Sequence, residues 1–351
     1  MRTIWYHIMR LYVKIGLFFL MKKIIVKGTE NIPDKGPLLF IGNHQNALID
    51  ALLIPTTTHR NIHFLARASA FKNKLASALL HTLNMIPVYR IRDGVNTIEK
   101  NHAIFEQCHE YLKKGKAIEI FAEGEHHLSR NITPLKKGFA RIILGALKKY
   151  PELEIKIVPV GLNFDTHLNF PSSASIIYGP PIIANDFIDP SNNDPSFKTI
   201  LHQVDTALKK LTLHIGKEYD YEATVAKLNA NGVDYVDPDK AKAMLQQLDE
   251  LSTEGIVQKK PVNWFAPLQW LAKLNSILPL LIWKYLKKRI KEVLFTNTFR
   301  FALITTLFPI FYLFQAFVVK KIAGLEYAWM YLLLCIVLGI ITTKTTPVNP
   351  E

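Results

Sequence analysis

Hydrophobic and polar positions divide the chain into distinct regimes. Between Lys23 and His214, short runs rich in β-branched residues alternate with longer amphipathic stretches. Ile24–Val26, Leu38–Ile41, Ile62–Leu65, Ile86–Tyr89, Ala117–Phe121, Ile155–Val160 and Ser175–Tyr178 read as strands, with helices between most of them. This alternation predicts an α/β domain over residues 23–214: a largely parallel mixed sheet flanked by helices, with the loops at the strand ends open for chemistry. Ahead of it, residues 1–22 place His7, Arg10 and Lys14 on one helical face, with Trp5, Met9, Tyr12 and Gly16 roughly opposite. That is the pattern of a helix lying in a membrane interface. Arg10 and Lys14 interrupt the apolar stretch and no small-residue cleavage site follows, which argues against a cleaved signal peptide. A tilted partial insertion of Ile15 to Met21 stays open.

Residues 215–260 are polar and helical, with amphipathic spacing after Lys240 and no evident chemistry, and read as a helical extension. Residues 261–351 form a membrane-associated region. Trp264, Trp270 and Trp283 lie among apolar residues with Lys273 and Lys284, and the basic cluster Lys287, Lys288, Arg289 and Lys291 follows. Two uncharged apolar stretches, about 301–319 and 327–343, approach transmembrane length and together predict a C-terminal membrane helical hairpin; the alternative is a pair of buried core helices. The basic cluster places the α/β domain on the cytoplasmic side of a cell inner membrane, although Lys320 and Lys321 beyond the first stretch count against that orientation.

Charge sharpens the picture without identifying a partner. Lys and Arg total 43 against 29 Asp and Glu, a formal charge of +14 over 351 residues, which favours anionic partners: phospholipid headgroups, phosphate-bearing substrates or nucleic acid. Nucleic acid is disfavoured because no zinc-finger spacing, RNP-type aromatic motif or basic heptad accompanies the charge. Cys108 and Cys335 are too few for a disulfide framework or a thiolate metal site, which points to a reducing compartment.

The candidate chemistry begins with Asn43-His44-Gln45-Asn46-Ala47-Leu48-Ile49-Asp50, which follows the strand at Leu38–Ile41 and opens an apolar helix. A histidine beside a carboxylate is the minimal kit for activating an alcohol, since imidazole takes the hydroxyl proton while the acid fixes its tautomer. On a regular helix, residues six apart point about 120° from each other, so His44 has to lie outside the helix for the two side chains to meet. Taken alone, the segment reads more simply as a helix cap supplied by Asn43. Glu123, Glu125, His126 and His127 invite a metal reading, yet a short loop lacks the helical His-Glu-x-x-His geometry, so no metal is expected. The chain has no Gly-x-Ser-x-Gly elbow, which sets aside a serine hydrolase.

Four blocks in order carry a family resemblance: Asn43-His44 through Asp50, Met85 through Arg90, Phe121-Ala122-Glu123-Gly124, and Ile157 through Gly161. Over roughly Ile25 to Ile182 the chain resembles the PlsC-type glycerol-phosphate acyltransferase superfamily. The resemblance implies His44 and Asp50 as catalytic pair, Arg90 as a grip on the acceptor phosphate, and Glu123 with Gly124 shaping the acceptor site. Lys137 is a further candidate cation there, as are Arg130 and Lys136; Lys136 and Arg92 read more simply as surface charges. Two departures stand out. Five residues separate His44 from Asp50 where the family motif has four, a spacing similar to that of the fungal-type glycerol-3-phosphate and dihydroxyacetone-phosphate acyltransferases. In the third block Ala122, Glu125 and His126 stand where the family has proline, threonine and arginine.

The resemblance implies an O-acyltransferase of phospholipid synthesis. It would move a fatty acyl group from acyl-CoA or acyl-carrier protein, as co-substrate and without a cofactor, to a phosphorylated glycerol acceptor, either glycerol-3-phosphate or lysophosphatidate. Its partners would be the phospholipid membrane, the acyl carrier and that acceptor, with no nucleic acid. Acylation of another lyso-lipid such as an aminolipid, and a non-catalytic lipid-binding membrane protein, are the alternatives.

Overall fold

A computed structural model describes residues 2–89, 97–191, 197–251 and 263–348. Each of the runs expected as strands forms one: β1 (Met21–Lys27), β2 (Leu38–Gly42), β3 (Ile62–Arg67), β4 (Met85–Val88), β5 (Ala117–Phe121), β6 (Lys156–Phe164) and β7 (Ser172–Tyr178). A two-residue strand, β8 (Ile182–Ile183), lacks the length to register as a periodic pattern. The sheet order is β1-β7-β6-β2-β5-β3-β4, with β8 on β6. Only the β6 pairings with β7 and β8 are antiparallel among the described residues, giving the mixed, mostly parallel sheet that the alternation predicts.

Period-2 alternation along the central strands builds two cores. Leu38 and Phe40 of β2 face one side with Ala117, Val158 and Val160, where helices α1 (Arg2–Leu20) and α2 (Leu48–Thr57) pack. Leu39 and Ile41 face the other with Ile118, Ile120 and Ile157, covered by α4 (Thr97–Lys113), α5 (Gly138–Lys149) and α6 (Lys198–Leu211). Helix α3 (Lys74–Thr82) connects β3 to β4. Beyond the sheet, α7 (Tyr221–Ala230) and α8 (Pro238–Gln246) close a small third core around Leu213, Leu228, Tyr235 and Leu245. Their N-termini are capped by Asp220 and Asp237, whose carboxylates accept from backbone N–H groups of the first turn.

Helix α1 docks on the domain through Tyr6, Leu17 and Leu20, which are buried. The face expected to meet lipid is instead partly sealed: Gly16 lies against Phe301 and Thr305, and the Tyr12 hydroxyl donates to the Thr305 carbonyl. Arg10 turns inward and donates to the Thr58 carbonyl, at the C-terminus of α2, where exposed carbonyls and the helix dipole favour a cation. The exposed apolar stripe is Ile4, Ile8, Leu11, Ile15 and Phe18, at the i, i+4, i+7 spacing of one helical face.

The C-terminal region folds as α9 (Ala266–Asn275), α10 (Ile277–Lys287), α11 (Thr296–Thr305), α12 (Leu307–Ala323) and α13 (Leu325–Thr345). The segments Val293–Ala323 and Leu325–Thr345 are long and apolar enough to cross a membrane. The stretch 301–319 is nevertheless not one helix. It breaks at Thr306 (φ −122°, ψ −67°), because the Pro309 ring would clash with the carbonyl four residues back, that of Thr305. The freed Thr305 carbonyl is the one that accepts from Tyr12. The second stretch, 327–343, falls inside α13. Tyr331 of α13 donates to Gln315 of α12 at 2.7 Å, pairing the two helices, and Lys344 donates to the carbonyls of Phe18 and Met21 at 2.8 and 2.7 Å, tying the end of α13 to the α1–β1 junction.

Close approach of α6 to the sheet depends on Gly161, since a Cβ there would lie 2.5 Å from the Leu211 carbonyl oxygen. Gly161→Ala should therefore lift the end of α6 off β6 and cost about 1–3 kcal/mol of stability. Thermal unfolding checks this, and a midpoint equal to that of the parent would contradict it.

Candidate active site

The sheet brings two loops together. β2 and β5 are parallel neighbours with Gly42 opposite Phe121, so the residues following each strand emerge side by side at the carboxyl edge, where such sheets place their ligands. His44 comes two residues after β2 and Glu123 two residues after β5.

Residues 44–47 lie outside the helix, as the geometry of the spacing requires, and α2 begins at Leu48 with Asp50 in its first turn. His44 Nδ1 lies 2.9 Å from Asp50 Oδ2. The same oxygen accepts from the backbone N–H groups of Gln45 (2.8 Å) and Asn46 (2.6 Å). Asp50 is fully buried. Because this oxygen serves as acceptor to two N–H donors, the imidazole meets it as a third donor, Nδ1–H, leaving Nε2 as a base. The His44 side chain is 17% exposed, stacks on the Phe121 ring at 4.2 Å and meets the His126 ring edge-on at 5.3 Å. The interval of five residues is absorbed at Ala47, whose φ of +44° is rare for a residue with a side chain. Asn43 anchors the start of the turn through paired bonds with the Leu162 backbone, at 2.7 and 2.9 Å.

Glu123, also buried, is the second fixed point. Its Oε1 accepts the backbone N–H of His44 at 2.9 Å, and its Oε2 takes His127 Nε2 (2.7 Å) together with the Thr133 backbone N–H (2.8 Å) and hydroxyl (2.6 Å). Burial pushes its carboxyl up, but these hydrogen bonds outweigh it and hold Glu123 below the ordinary carboxylate range. Three of the four donors fall on Oε2 and one on Oε1, and together they lock the β5 loop to the His44 backbone. Gly124 follows at φ +73°, and the stem of Lys136 lies over it, so that a Cβ there would come 3.2 Å from Lys136 Cγ.

The cations divide. Arg130 is structural: its guanidinium donates to the carbonyls of Phe164 (2.7 Å) and Asp165 (3.0 Å) and lies 3.4 Å over the Tyr235 ring of the helical extension. Lys136 and Lys137 are exposed just before α5. Arg90 and Arg92 lie outside the described residues. The order of the four blocks, not the spacing of His44 and Asp50, singled out the pair. It missed Thr133, the stacking of Phe121 and the bonding of His127 to Glu123, for which the only signal was their place in or next to the third block.

Residues 23–163 match the family model described as Acyltransferase. The chain is 32% identical over 124 residues to glycerol-3-phosphate O-acyltransferase 1 of Saccharomyces cerevisiae, covering 34% of this chain and 16% of that protein. It is 30% identical over 136 residues to 1-acyl-sn-glycerol-3-phosphate acyltransferase of Borreliella burgdorferi, covering 39% of this chain and 52% of that one. The structure of the 1-acyl-sn-glycerophosphate acyltransferase PlsC from Thermotoga maritima aligns with a TM-score of 0.43 and 19% identity over 60% of this chain and 79% of that one. The chain spans about half or less of the length of these curated relatives.

One further carboxyl lies beneath the pair. Glu119 of β5 points to the same face as Phe121, two residues on, and is buried with neither oxygen hydrogen-bonded; Asp50 Oδ1 is likewise without a partner. Burial, together with the Asp50 charge, raises the Glu119 carboxyl well above its ordinary value of 4.5. The folded protein therefore holds a proton that the unfolded chain releases as pH rises. The associated stability is fully present below about pH 4.5 and is lost as pH climbs toward the folded value. Glu119→Gln keeps the shape and removes the titration. Denaturant unfolding from about pH 5 to pH 8 should show the parent losing stability relative to the variant; a constant difference across that range would refute the assignment.

Proposed function

We propose that the protein is a membrane-bound O-acyltransferase that moves a fatty acyl group from a thioester donor, acyl-CoA or acyl-carrier protein, to a hydroxyl of a phosphorylated glycerol. The observation that carries this reading is the His44 Nδ1 to Asp50 Oδ2 contact of 2.9 Å within the residues that match the Acyltransferase family model, with the ring partly exposed at the sheet's carboxyl edge. His44 Nε2 takes the proton of the acceptor hydroxyl as its oxygen attacks the thioester carbonyl carbon. Asp50 steadies the imidazolium that results. The tetrahedral intermediate then expels the thiolate as the carbon–sulfur bond breaks, and the proton on Nε2 passes to the departing sulfur. No acyl-enzyme is needed, because the attacking hydroxyl belongs to the acceptor itself.

The phosphate is held by cations, and Arg90, with Lys137 ahead of α5, is our assignment for that grip. Membrane attachment follows from the exposed apolar stripe of α1 and the little-buried α12 and α13, which give acyl chain and product a route that avoids water. The exposed cluster Lys287, Lys288, Arg289 and Lys291 favours the cytoplasmic face of a cell inner membrane for the catalytic domain.

Purified protein in lipid, given labelled acyl-CoA and a panel of glycerol-3-phosphate, dihydroxyacetone phosphate and lysophosphatidate, should acylate at least one and release free thiol in equal amount. His44→Ala should lower kcat by at least about 100-fold without loss of fold or membrane binding. Substantial remaining turnover would remove His44 from the mechanism, and absence of thiol release in the parent would favour a lipid-binding role. Arg90→Ala should chiefly raise the KM for the phosphorylated acceptor, whereas an effect confined to the acyl donor would reassign this residue.

A further inference from the structure

The C-terminal region reaches the candidate site through the turn that opens α11. Phe295 lies edge-on to the His126 ring at 5.2 Å, and Glu292 comes within 3.9 Å of His126 Nε2; His126 in turn meets His44. Within the first turn of α11, Asn297 is fully buried. Its amide donates to the His167 carbonyl at 2.7 Å and, more loosely at 3.5 Å, to the Asn46 side-chain oxygen. Arg300 donates to the carbonyls of Leu168 (3.1 Å) and Asn169 (3.3 Å) and to the Asn297 side-chain oxygen, which fixes the orientation of the amide. His167 Nε2 lies 3.4 Å from Gln45 Oε1.

These contacts converge on Gln45 and Asn46, the two residues whose N–H groups hold Asp50 Oδ2. The turn they belong to contains Ala47 at φ +44°, a conformation that persists only where the surroundings over-determine it. Asn43 supplies one constraint from β6, and the Asn297–His167–Gln45 array supplies another from a segment outside the family-matched residues 23–163.

We propose that Asn297 is a positioning residue for acyl transfer: the α11 turn holds the Asn46 side chain directly and the Gln45 side chain through His167, so that seating of the C-terminal apolar segment is a condition for the working geometry of His44 and Asp50. This rests on the acyl-transfer reading above. A clamp of this kind acts on the reacting pair and not on substrate affinity, and displacements of about 1 Å at such a pair are worth up to 100-fold in rate.

The test compares the parent with Asn297→Asp, which keeps the shape but loses the donor, and Asn297→Ser, which shortens it, in lipid vesicles with rates normalised to folded protein. Ser276→Ala serves as control, because it removes a buried hydroxyl pair (Ser276–Tyr312, 2.6 Å) from the same helical bundle away from the site. Both Asn297 variants should lose about tenfold or more in kcat, as expected for one buried hydrogen bond, with KM for donor and acceptor within about twofold. The control should keep the kcat of the parent. Asn297 variants with parental kcat, with a loss confined to KM, or with losses that merely track the folded fraction, would overturn the assignment. A parent without turnover would instead remove the acyl-transfer reading, and the clamp with it.

Discussion

One carboxylate oxygen sets the geometry on which the rest of the site depends. Asp50 Oδ2 gathers the imidazole N–H of His44 and the backbone N–H groups of Gln45 and Asn46, so a single buried acceptor fixes the ring, its tautomer and the course of the chain between them. Loss of any one donor would leave charge in a dry environment. The turn can meet all three demands only by carrying Ala47 into positive φ, and the surrounding anchors keep it there. The strain is local and the constraints on it come from β6 and from the C-terminal region, which is why the pair cannot be understood from its own segment.

The second carboxylate does different work. Glu123 spends its acceptor capacity on His44 N–H, His127 and Thr133, joining the β2 and β5 loops into one rigid unit. Three of the four donors fall on Oε2 and one on Oε1, so the bonds of Glu123 run mainly within the β5 loop and reach across to β2 at the His44 N–H. The two carboxylates thus hold different parts of the structure: Asp50 the His44 ring and its turn, Glu123 the junction of the two loops.

The central sheet was legible because strands buried on both faces read as short apolar runs, continuous in β2 and interrupted only by Glu119 in β5. The His44–Asp50 pair was legible as chemistry, and the need for His44 to leave the helix followed from helical geometry alone. Other features depend on tertiary partners that periodicity does not see. Arg130 was one of several candidate cations after the third block, and its guanidinium is taken up by the carbonyls of Phe164 and Asp165 and the ring of Tyr235. Arg10 and Tyr12 marked the two faces of an amphipathic helix, yet both turn to carbonyls left open at helix ends, those of Thr58 and Thr305. A polar side chain that finds such a carbonyl packs inward as readily as an apolar one.

The same reasoning explains why the first apolar stretch is interrupted. Asn297 and Arg300 sit at the start of an apolar segment, and in lipid each would carry a high cost. Here the carbonyls of His167, Leu168 and Asn169 satisfy them, and the ring of Trp283 lies 5.0 Å from the Arg300 guanidinium. That satisfaction holds α11 on the catalytic domain, and Pro309 ends it by denying Thr305 a continuing helix. The apolar stretch therefore serves two environments: its first half is a protein contact written in polar residues, and its second half, α12, carries the exposed Ile310, Leu313, Phe314 and Phe317 that suit lipid. The break at Thr306 separates the part that packs on the domain through Asn297 and Arg300 from the outer part, whose apolar side chains stay exposed.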